Sequence, residues 1–279
     1  MTMRRIYLTQ LFPWLLPLRR RQKCFCRAAA MRLSGCRYAR TVHRPPLPHA
    51  VFQSGIPMVN TRTGMDPVYQ ENKIFNLKLA ARSLDLLLIR PGETFSFFLA
   101  TRGADRKTPY REGLTERYGV LTTERGGGLC MLSNLLFWLF LHTPLTVVER
   151  HGHEKKDFPE PPSDAPLGVD ATVSDGWLDL RVRNDTAQTF QLTLFFDDVR
   201  IYGCIRSDTP QPQPPEIING PVSYVREDGA VYEEVDVIRK RVDPNTGEAE
   251  KTLLYRNRCR IGYELPMGAV ILDRKDGPT

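Results

Sequence analysis

Apolar residues in the first half of the chain recur at helical spacing. Within residues 72–89 they stand three or four positions apart, at Ile74, Leu77, Ala81, Leu84 and Leu88. A single apolar stripe at this period predicts an amphipathic helix. Residues 129–141 are apolar at nearly every position, which predicts a helix buried on all sides. Between the two helices, residues 94–99 are predicted to form a short strand, and the polar residues 103–125 a loop.

Apolar and polar residues alternate through much of the second half, as they do in half-buried strands. The first three such stretches are residues 177–183, 189–196 and 199–205, and their short connections predict an antiparallel meander. Residues 231–242 and 251–255 flank a turn at 243–247 and predict a C-terminal β-hairpin. The predicted fold class is therefore α+β: an N-terminal helical part with a buried helix that carries a cysteine, then antiparallel sheet and the hairpin.

Charge separates a basic N-terminal arm from a mildly acidic body. Twelve of the 39 Lys and Arg residues lie in residues 1–65, which contain no Asp or Glu, so all 32 acidic residues follow the arm. Because the body is net acidic, we predict no nucleic-acid partner. The predicted organisation is a basic arm at 1–65, a core domain at 66–208, and a linker with a β-rich extension at 209–279, which opens with the proline-rich residues 209–215.

The arm has two interpretations. Its apolar run, residues 6–18, is too short to span a bilayer, and the arginines that follow at once do not match a cleavable signal. Its cations and interleaved apolar residues are typical of segments that lie on an anionic membrane surface. Alternatively, the arm packs on the domain with its arginines in solvent. We expect a cytoplasmic protein, peripheral at the inner face of the membrane under the first interpretation.

The residues around Cys130 suggest nucleophilic chemistry. Three consecutive glycines precede the helix that Cys130 opens, and such a run indicates unusual dihedral angles or close approach by another group: Gly126, Gly127 and Gly128. A thiol in the first turn of a helix lies at its positive end, which favours the thiolate. His151, His153 and Asp170 follow in the chain. We predict a thiolate–imidazole pair, with either histidine as its base, oriented by Asp170.

The order Cys, His, Asp is similar to that of papain-like and transglutaminase-like enzymes, whose nucleophile opens a central helix. Two other interpretations of Cys130 remain open, because a cysteine is often a small buried apolar residue and because Cys, His and Asp are also metal ligands. Their spacing matches no zinc pattern and the glycine clusters match no nucleotide-binding loop, so we predict no metal and no cofactor. The other cysteines are predicted to be unpaired thiols of a reducing compartment.

Five long stretches of the chain resemble the VanW family. They are residues 69–79 (YQENKIFNLKL), 90–97 (RPGETFSF), 126–142 (GGGLCMLSNLLFWLFLH), 146–160 (TVVERHGHEKKDFPE) and 168–186 (GVDATVSDGWLDLRVRNDT). The resemblance implies an accessory protein of glycopeptide resistance that acts on, or binds, peptide parts of peptidoglycan precursors. A binding or scaffold role, toward precursors or toward resistance enzymes, is the alternative to an acyl-transfer enzyme. The family usually has Gln after the cysteine, whereas this chain has Met131, so a Gln oxyanion donor would be missing here.

Overall fold

The computed structural model describes residues 12–117, 120–242 and 246–274. A short 3-10 turn, Pro13–Leu15, precedes the first helix. The α-helices in the described residues are α1 (Leu16–Leu33), α2 (Val68–Leu84), α3 (Phe97–Thr101) and α4 (Cys130–Leu141). The strands are β1 (Arg37–Tyr38), β2 (His49–Pro57), β3 (Leu88–Ile89), β4 (Glu93–Ser96), β5 (Glu112–Arg117), β6 (Val120–Arg125), β7 (Thr146–Glu149), β8 (Lys155–Lys156), β9 (Arg181–Arg183), β10 (Phe190–Phe196), β11 (Arg200–Ser207), β12 (Glu216–Asn219), β13 (Ser223–Glu227), β14 (Ala230–Val242), β15 (Ala249–Ile261) and β16 (Ile271–Asp273).

The strands form four sheets. One has the order β1-β4-β9-β7, a second β2-β11-β10-β3, and a third β16-β13-β14-β15-β8, in which β12 also pairs with β14. The hairpin β5-β6 is the fourth. The second sheet is antiparallel throughout, and parallel pairs occur at β1-β4, β13-β16 and β8-β15. The α+β class predicted from the sequence is confirmed.

Helix α4 lies at the centre of the hydrophobic core, as its uninterrupted apolar run predicted. Leu135, Leu136, Leu139 and Phe140 are at most 1% exposed. Strand β11 approaches the helix so closely that a Cβ at Gly203 would meet Leu139 Cδ1 at 2.7 Å. A helix held this firmly can fix the position of a side chain in its first turn.

Two predicted elements in the first half have different boundaries. Helix α2 ends at Leu84, not at residue 89, because Leu86 takes a positive φ of 63° and sends the next residues into β3. The strand predicted at 94–99 ends at Ser96, where the Ser96 hydroxyl accepts a hydrogen bond from Leu99 N (3.1 Å) and caps α3. Buried Asp179 supports this turn by accepting hydrogen bonds from Ser96 Oγ and Phe98 N.

The loop predicted at 103–125 is wrong in its second half, which forms the hairpin β5-β6. The predicted meander is also wrong in part. Strands β10 and β11 pair as expected, but β9 joins β4 and β7 in another sheet. The chain changes sheet at buried Asn184, whose amide donates to Ile89 O and Gln188 O and so holds the bend between β9 and β10.

The C-terminal hairpin, formed by β14 and β15, is confirmed. Its turn was predicted at 243–247, of which 243–245 lie outside the described residues. Strand β15 also pairs with β8, which belongs to the range assigned to the core domain. In the same way β2, from within the range 1–65, pairs along its length with β11. The arm and the extension both therefore contribute strands that pair with the central part of the chain.

The described part of the arm packs on the domain through α1. Arg27 makes a bidentate ion pair with Glu149 (2.5 and 2.7 Å) and donates to Trp177 O, while Ala28 and Met31 are buried against Phe98. The beginning of the apolar run at 6–18 lies outside the described residues. In the part of the chain that the structure describes, no helix is both long and apolar enough to cross a bilayer.

Candidate active site

The three glycines position the start of α4 by allowing backbone contacts that a side chain would block. Gly126 and Gly128 have φ values of +82° and +89°, a region that L side chains rarely adopt. At Gly127, a Cβ would meet the carbonyl carbon of Gly113 in β5 at 2.2 Å. At Gly128, it would meet the Cγ of Lys73 on α2 at 2.4 Å. The glycine loop thus brings the helix start against both the β5-β6 hairpin and α2.

Cys130, His153 and Asp170 come together beside this loop. His153 Nδ1 lies 2.6 Å from Asp170 Oδ1, and the His153 backbone N–H donates to Asp170 Oδ2 at 2.6 Å. With Nδ1 engaged by the carboxylate, Nε2 is the ring nitrogen left for the Cys130 thiol, with which His153 interacts. The Cys130 sulfur also lies 3.2 Å from Thr172 Oγ1. This is the arrangement of nucleophile, base and orienting carboxylate.

The electrostatics of the three groups favour a thiolate and an imidazolium. Burial alone would raise the pKa of Cys130, but His153 and the Thr172 hydroxyl lower it below its ordinary value. Burial would lower the pKa of His153, yet the charge of Asp170 and its hydrogen bond raise that pKa well above the usual range. Burial opposes ionisation of Asp170 as well, and the contacts with His153 nevertheless lower its pKa to about 2. The carboxylate therefore stays charged and holds the imidazolium.

His151, the other histidine predicted as a possible base, also lines the cavity but pairs with a different carboxylate. Its Nε2 is 3.1 Å from Glu149 Oε1, on the side where Arg27 and Arg181 also pair with Glu149. Its backbone carbonyl accepts from Thr172 N at 2.8 Å, so it supports the segment that carries Thr172. The structure therefore selects His153 as the partner of Cys130.

Strand β15 supports the site from behind. Arg150 donates through Nε to the backbone carbonyl of Asp170 (2.5 Å) and through Nη2 to Asn257 Oδ1 (2.6 Å). Its guanidinium lies 4.1 Å from the centre of the Tyr255 ring, and the Tyr255 hydroxyl donates to Gly168 O. The C-terminal hairpin thus fixes the segment that presents Asp170 to His153.

Cys130 and His153 line a cavity of about 790 Å³, and Asp170 is buried behind His153. The walls of the cavity include the start of α4, the β5-β6 hairpin and residues 150–158, so it is large enough for a peptide segment. Asn134, one helical turn after Cys130, lies in the same wall, and its Oδ1 accepts from Ala171 N at 2.7 Å. That bond leaves its amide NH₂ for a ligand.

Residues missed from the sequence include Asn134, Thr172 and Lys73. The spacing of four from Cys130 places Asn134 on the same helix face and could have indicated it. Met131 packs partly against the core and also lines the cavity, so it supplies no side-chain donor where the family usually has Gln. The backbone N–H groups of Met131, Leu132 and Ser133 donate to the carbonyls of Gly128 and Leu129, so the Cys130 N–H is the nearest alternative donor.

In the metal interpretation His151 and His153 bind one ion, whereas in the structure they pair with different carboxylates, Glu149 and Asp170. Within the described ranges, no group of three or more His, Cys, Asp and Glu side chains could hold a metal ion. The six cysteines are free thiols in the structure. Burial raises the pKa of Cys204, and it raises the pKa of Cys259 to about 12. The pKa of Cys130 is instead lowered.

A thiol and an imidazole that line one cavity of an α+β fold, with a buried carboxylate behind the imidazole, define a protein with a candidate cysteine-nucleophile site. Comparison with known proteins shows that the chain belongs to the VanW family. The family model described as VanW like protein matches residues 72–206. The chain is 52% identical over 265 residues, 95% of its own length and 96% of the relative's, to the Vancomycin B-type resistance protein VanW of Enterococcus faecalis.

A more distant relative is the uncharacterized protein YoaR of Bacillus subtilis, 32% identical over 118 residues, which are 42% of this chain and 37% of that protein. No solved structure matches the chain. The family match at 72–206 contains the glycine loop together with Cys130, His153 and Asp170.

Proposed function

We propose that this protein is an accessory protein of vancomycin resistance that acts on peptide parts of cell-wall precursors by a cysteine-dependent acyl mechanism. The observation that carries the mechanism is the alignment of Cys130, His153 and Asp170, with Cys130 and His153 at the wall of a cavity large enough for a peptide. The resistance context rests on the name of the E. faecalis relative, and the 52% identity over nearly the whole chain supports its transfer.

The proposed reaction begins when the Cys130 thiolate attacks an amide carbonyl carbon of the peptide. The oxyanion forms at the start of α4, where the Cys130 backbone N–H and the Asn134 amide are the available donors. The C–N bond then breaks, His153 gives its proton to the leaving amine, and a thioester with Cys130 remains. Water or an acceptor amine then attacks the thioester carbonyl carbon and gives a proton to His153, and the C–S bond breaks, which releases the acyl product and restores the Cys130 thiolate.

The competing function is binding of the precursor without turnover, which the loss of the family's Gln at Met131 favours. A resistance assay separates the two. We expect a strain whose only copy is Cys130→Ala to lose vancomycin resistance as completely as a deletion strain, with Cys36→Ala as the control that retains it. If the Cys130→Ala strain kept normal resistance while the deletion strain lost it, catalysis by Cys130 would be excluded and binding without turnover would be the function.

We also propose that α1 docks the protein on an anionic membrane surface. Leu18 and Phe25, which are 67 and 69% exposed and seven residues apart, share one face of α1, and Trp14 in the preceding 3-10 turn is 74% exposed. Arg21 and Arg32 are exposed beside that face at helical spacing, whereas Cys24, Ala28 and Met31 pack on the domain. Exposed apolar residues with arginines beside them are complementary to a membrane of acidic lipids.

The double substitution Trp14→Ser/Phe25→Ser should abolish sedimentation with vesicles that contain phosphatidylserine, and high salt should weaken binding of the unsubstituted protein. Each cation near the surface adds about 1 kcal/mol at best, so the apolar face is needed as well. Val199→Ser/Leu253→Ser, which changes exposed apolar residues outside the arm, is the matched control. Equal sedimentation of all three proteins would contradict membrane docking through α1.

A further inference from the structure

Lys73 is a buried lysine in the wall of the Cys130 cavity. Its side chain is 9% exposed, and its aliphatic stem lies against Gly128, two residues before Cys130. In the described part of the chain, no acidic side chain and no hydrogen-bond acceptor pairs with its ammonium group. A buried charge without a partner is costly to the fold, so its presence calls for an explanation.

The neighbours of Lys73 on the same helix face have hydrogen-bond partners, so the lack of a partner is confined to Lys73. Gln70, one turn before, accepts from Asn60 N at 3.0 Å. Asn76, one turn later, accepts from Arg111 N and donates to the carbonyls of Arg111 and Gly127. Of these three buried polar side chains on α2, Lys73 alone has its polar end unused by the described residues, and it borders the cavity.

Three other cations of the cavity wall are already paired, and a fourth, Arg125, is exposed to solvent. Arg20 contacts Glu124 and Asp175, Lys155 contacts Asp157, and Lys156 contacts Glu233 at 2.9 Å. These pairs leave little charge free for a ligand. The ammonium group of Lys73 differs from them because an anion in the cavity is the partner that it lacks.

We propose that Lys73 binds a carboxylate of the ligand and so selects, for this cavity, peptides that carry a free carboxylate. The proposal rests on the proposed function for the reaction at Cys130, but the charge of the ligand follows from Lys73 itself. A carboxylate held beside Gly128 would place the adjoining part of the peptide along the glycine loop, toward the cysteine. Lys73 is thus a specificity residue, distinct from the groups that move protons.

Burial lowers the pKa of Lys73 to about 8. The folded-state pKa is below that of an unfolded lysine, so the folded protein holds the charge only below about pH 8. Anion recognition should therefore be strong at neutral pH and decline as the pH rises through about 8, and the uncharged methionine of Lys73→Met should leave the fold at least as stable.

Alkylation of Cys130 tests the proposal without a known substrate. Iodoacetate carries a carboxylate and iodoacetamide does not, and the ratio of their rates cancels the fraction of thiolate. We expect Lys73→Met to lower this ratio about tenfold at pH 7, as loss of one nearby charge would. Lys73→Arg should retain the ratio, and so should Lys78→Met, an exposed position on the same helix. Mass spectrometry of the Cys130 peptide measures both rates, and thermal unfolding verifies that each variant is folded.

A second arm identifies the source of the carboxylate. Two ligands are compared: acetyl-alanyl-alanine has its carboxylate at the C-terminus, and acetyl-glutamate amide has its carboxylate on the side chain. The ligand that protects Cys130 better from iodoacetamide shows which kind of carboxylate the cavity binds. Protection that requires Lys73 supports the proposal with either ligand. The proposal would be overturned if folded Lys73→Met had the same ratio of iodoacetate to iodoacetamide rates as the unsubstituted protein and if the ligands protected Cys130 equally in the two proteins. Because alkylation needs no acyl transfer, this result is independent of whether Cys130 turns over a substrate.

Discussion

Replacement of Cys130 by alanine is expected to reduce turnover of a cell-wall precursor peptide by about 10⁴-fold or more, because no other group can form the thioester. The fold should remain. Cys130 is half-buried and its sulfur contacts the His153 ring, Thr172 Oγ1 and the Val173 carbonyl, so the free energy of unfolding should change by about 1 kcal/mol.

Release of the leaving amine, followed by mass spectrometry, measures the turnover of this variant, and thermal unfolding measures its stability. Cys36→Ala removes an exposed thiol and is the matched control, with full turnover expected. Turnover within tenfold of the unsubstituted protein in folded Cys130→Ala would contradict a nucleophilic role.

Asp170→Asn is expected to have the second largest effect. The neutral amide cannot stabilise the imidazolium, so the pKa of His153 should fall and that of Cys130 should rise. Loss of the orienting carboxylate in a triad of this kind costs about 10⁴-fold in turnover. The same change should make alkylation of Cys130 at pH 6 much slower, because less thiolate is present.

The pH dependence of the alkylation rate measures the Cys130 pKa in both proteins. His151→Asn is the matched control, since His151 pairs with Glu149 and not with Cys130, and its profile should follow that of the unsubstituted protein. An Asp170→Asn profile that coincides with the unsubstituted one would show that the carboxylate does not support the thiolate.

The fold could be predicted from the sequence wherever burial leaves a clear period. Helix α4 has an uninterrupted apolar run and the hairpin β14-β15 has alternating apolar residues, and the sequence predicted both elements. The hairpin β5-β6 was missed because it lines a cavity, so polar residues replace the alternation on which the prediction depends. The end of α2 was misplaced because the positive φ of Leu86 carries no signal in an apolar sequence.

The candidate site was predictable in its residue types but not in its geometry. The glycines and the helix start pointed to Cys130, and the order of the chain pointed to Asp170. The choice between His151 and His153 depends on the contacts of Glu149 and Asp170, which lie beyond local spacing. Lys73 was missed because a lysine in a helix usually indicates a solvated face, and only the packing against Gly128 shows that it is buried.

Detection of a thioester at Cys130 tests the central claim most directly. The protein would be incubated with the peptide part of a cell-wall precursor, quenched in acid to preserve thioesters, digested, and mapped by mass spectrometry. The account predicts the mass of the acyl fragment on the peptide that contains Cys130, its absence in Cys130→Ala, and its loss on treatment with hydroxylamine. Measurable binding of the precursor with no acyl fragment on Cys130 and no released amine would contradict it.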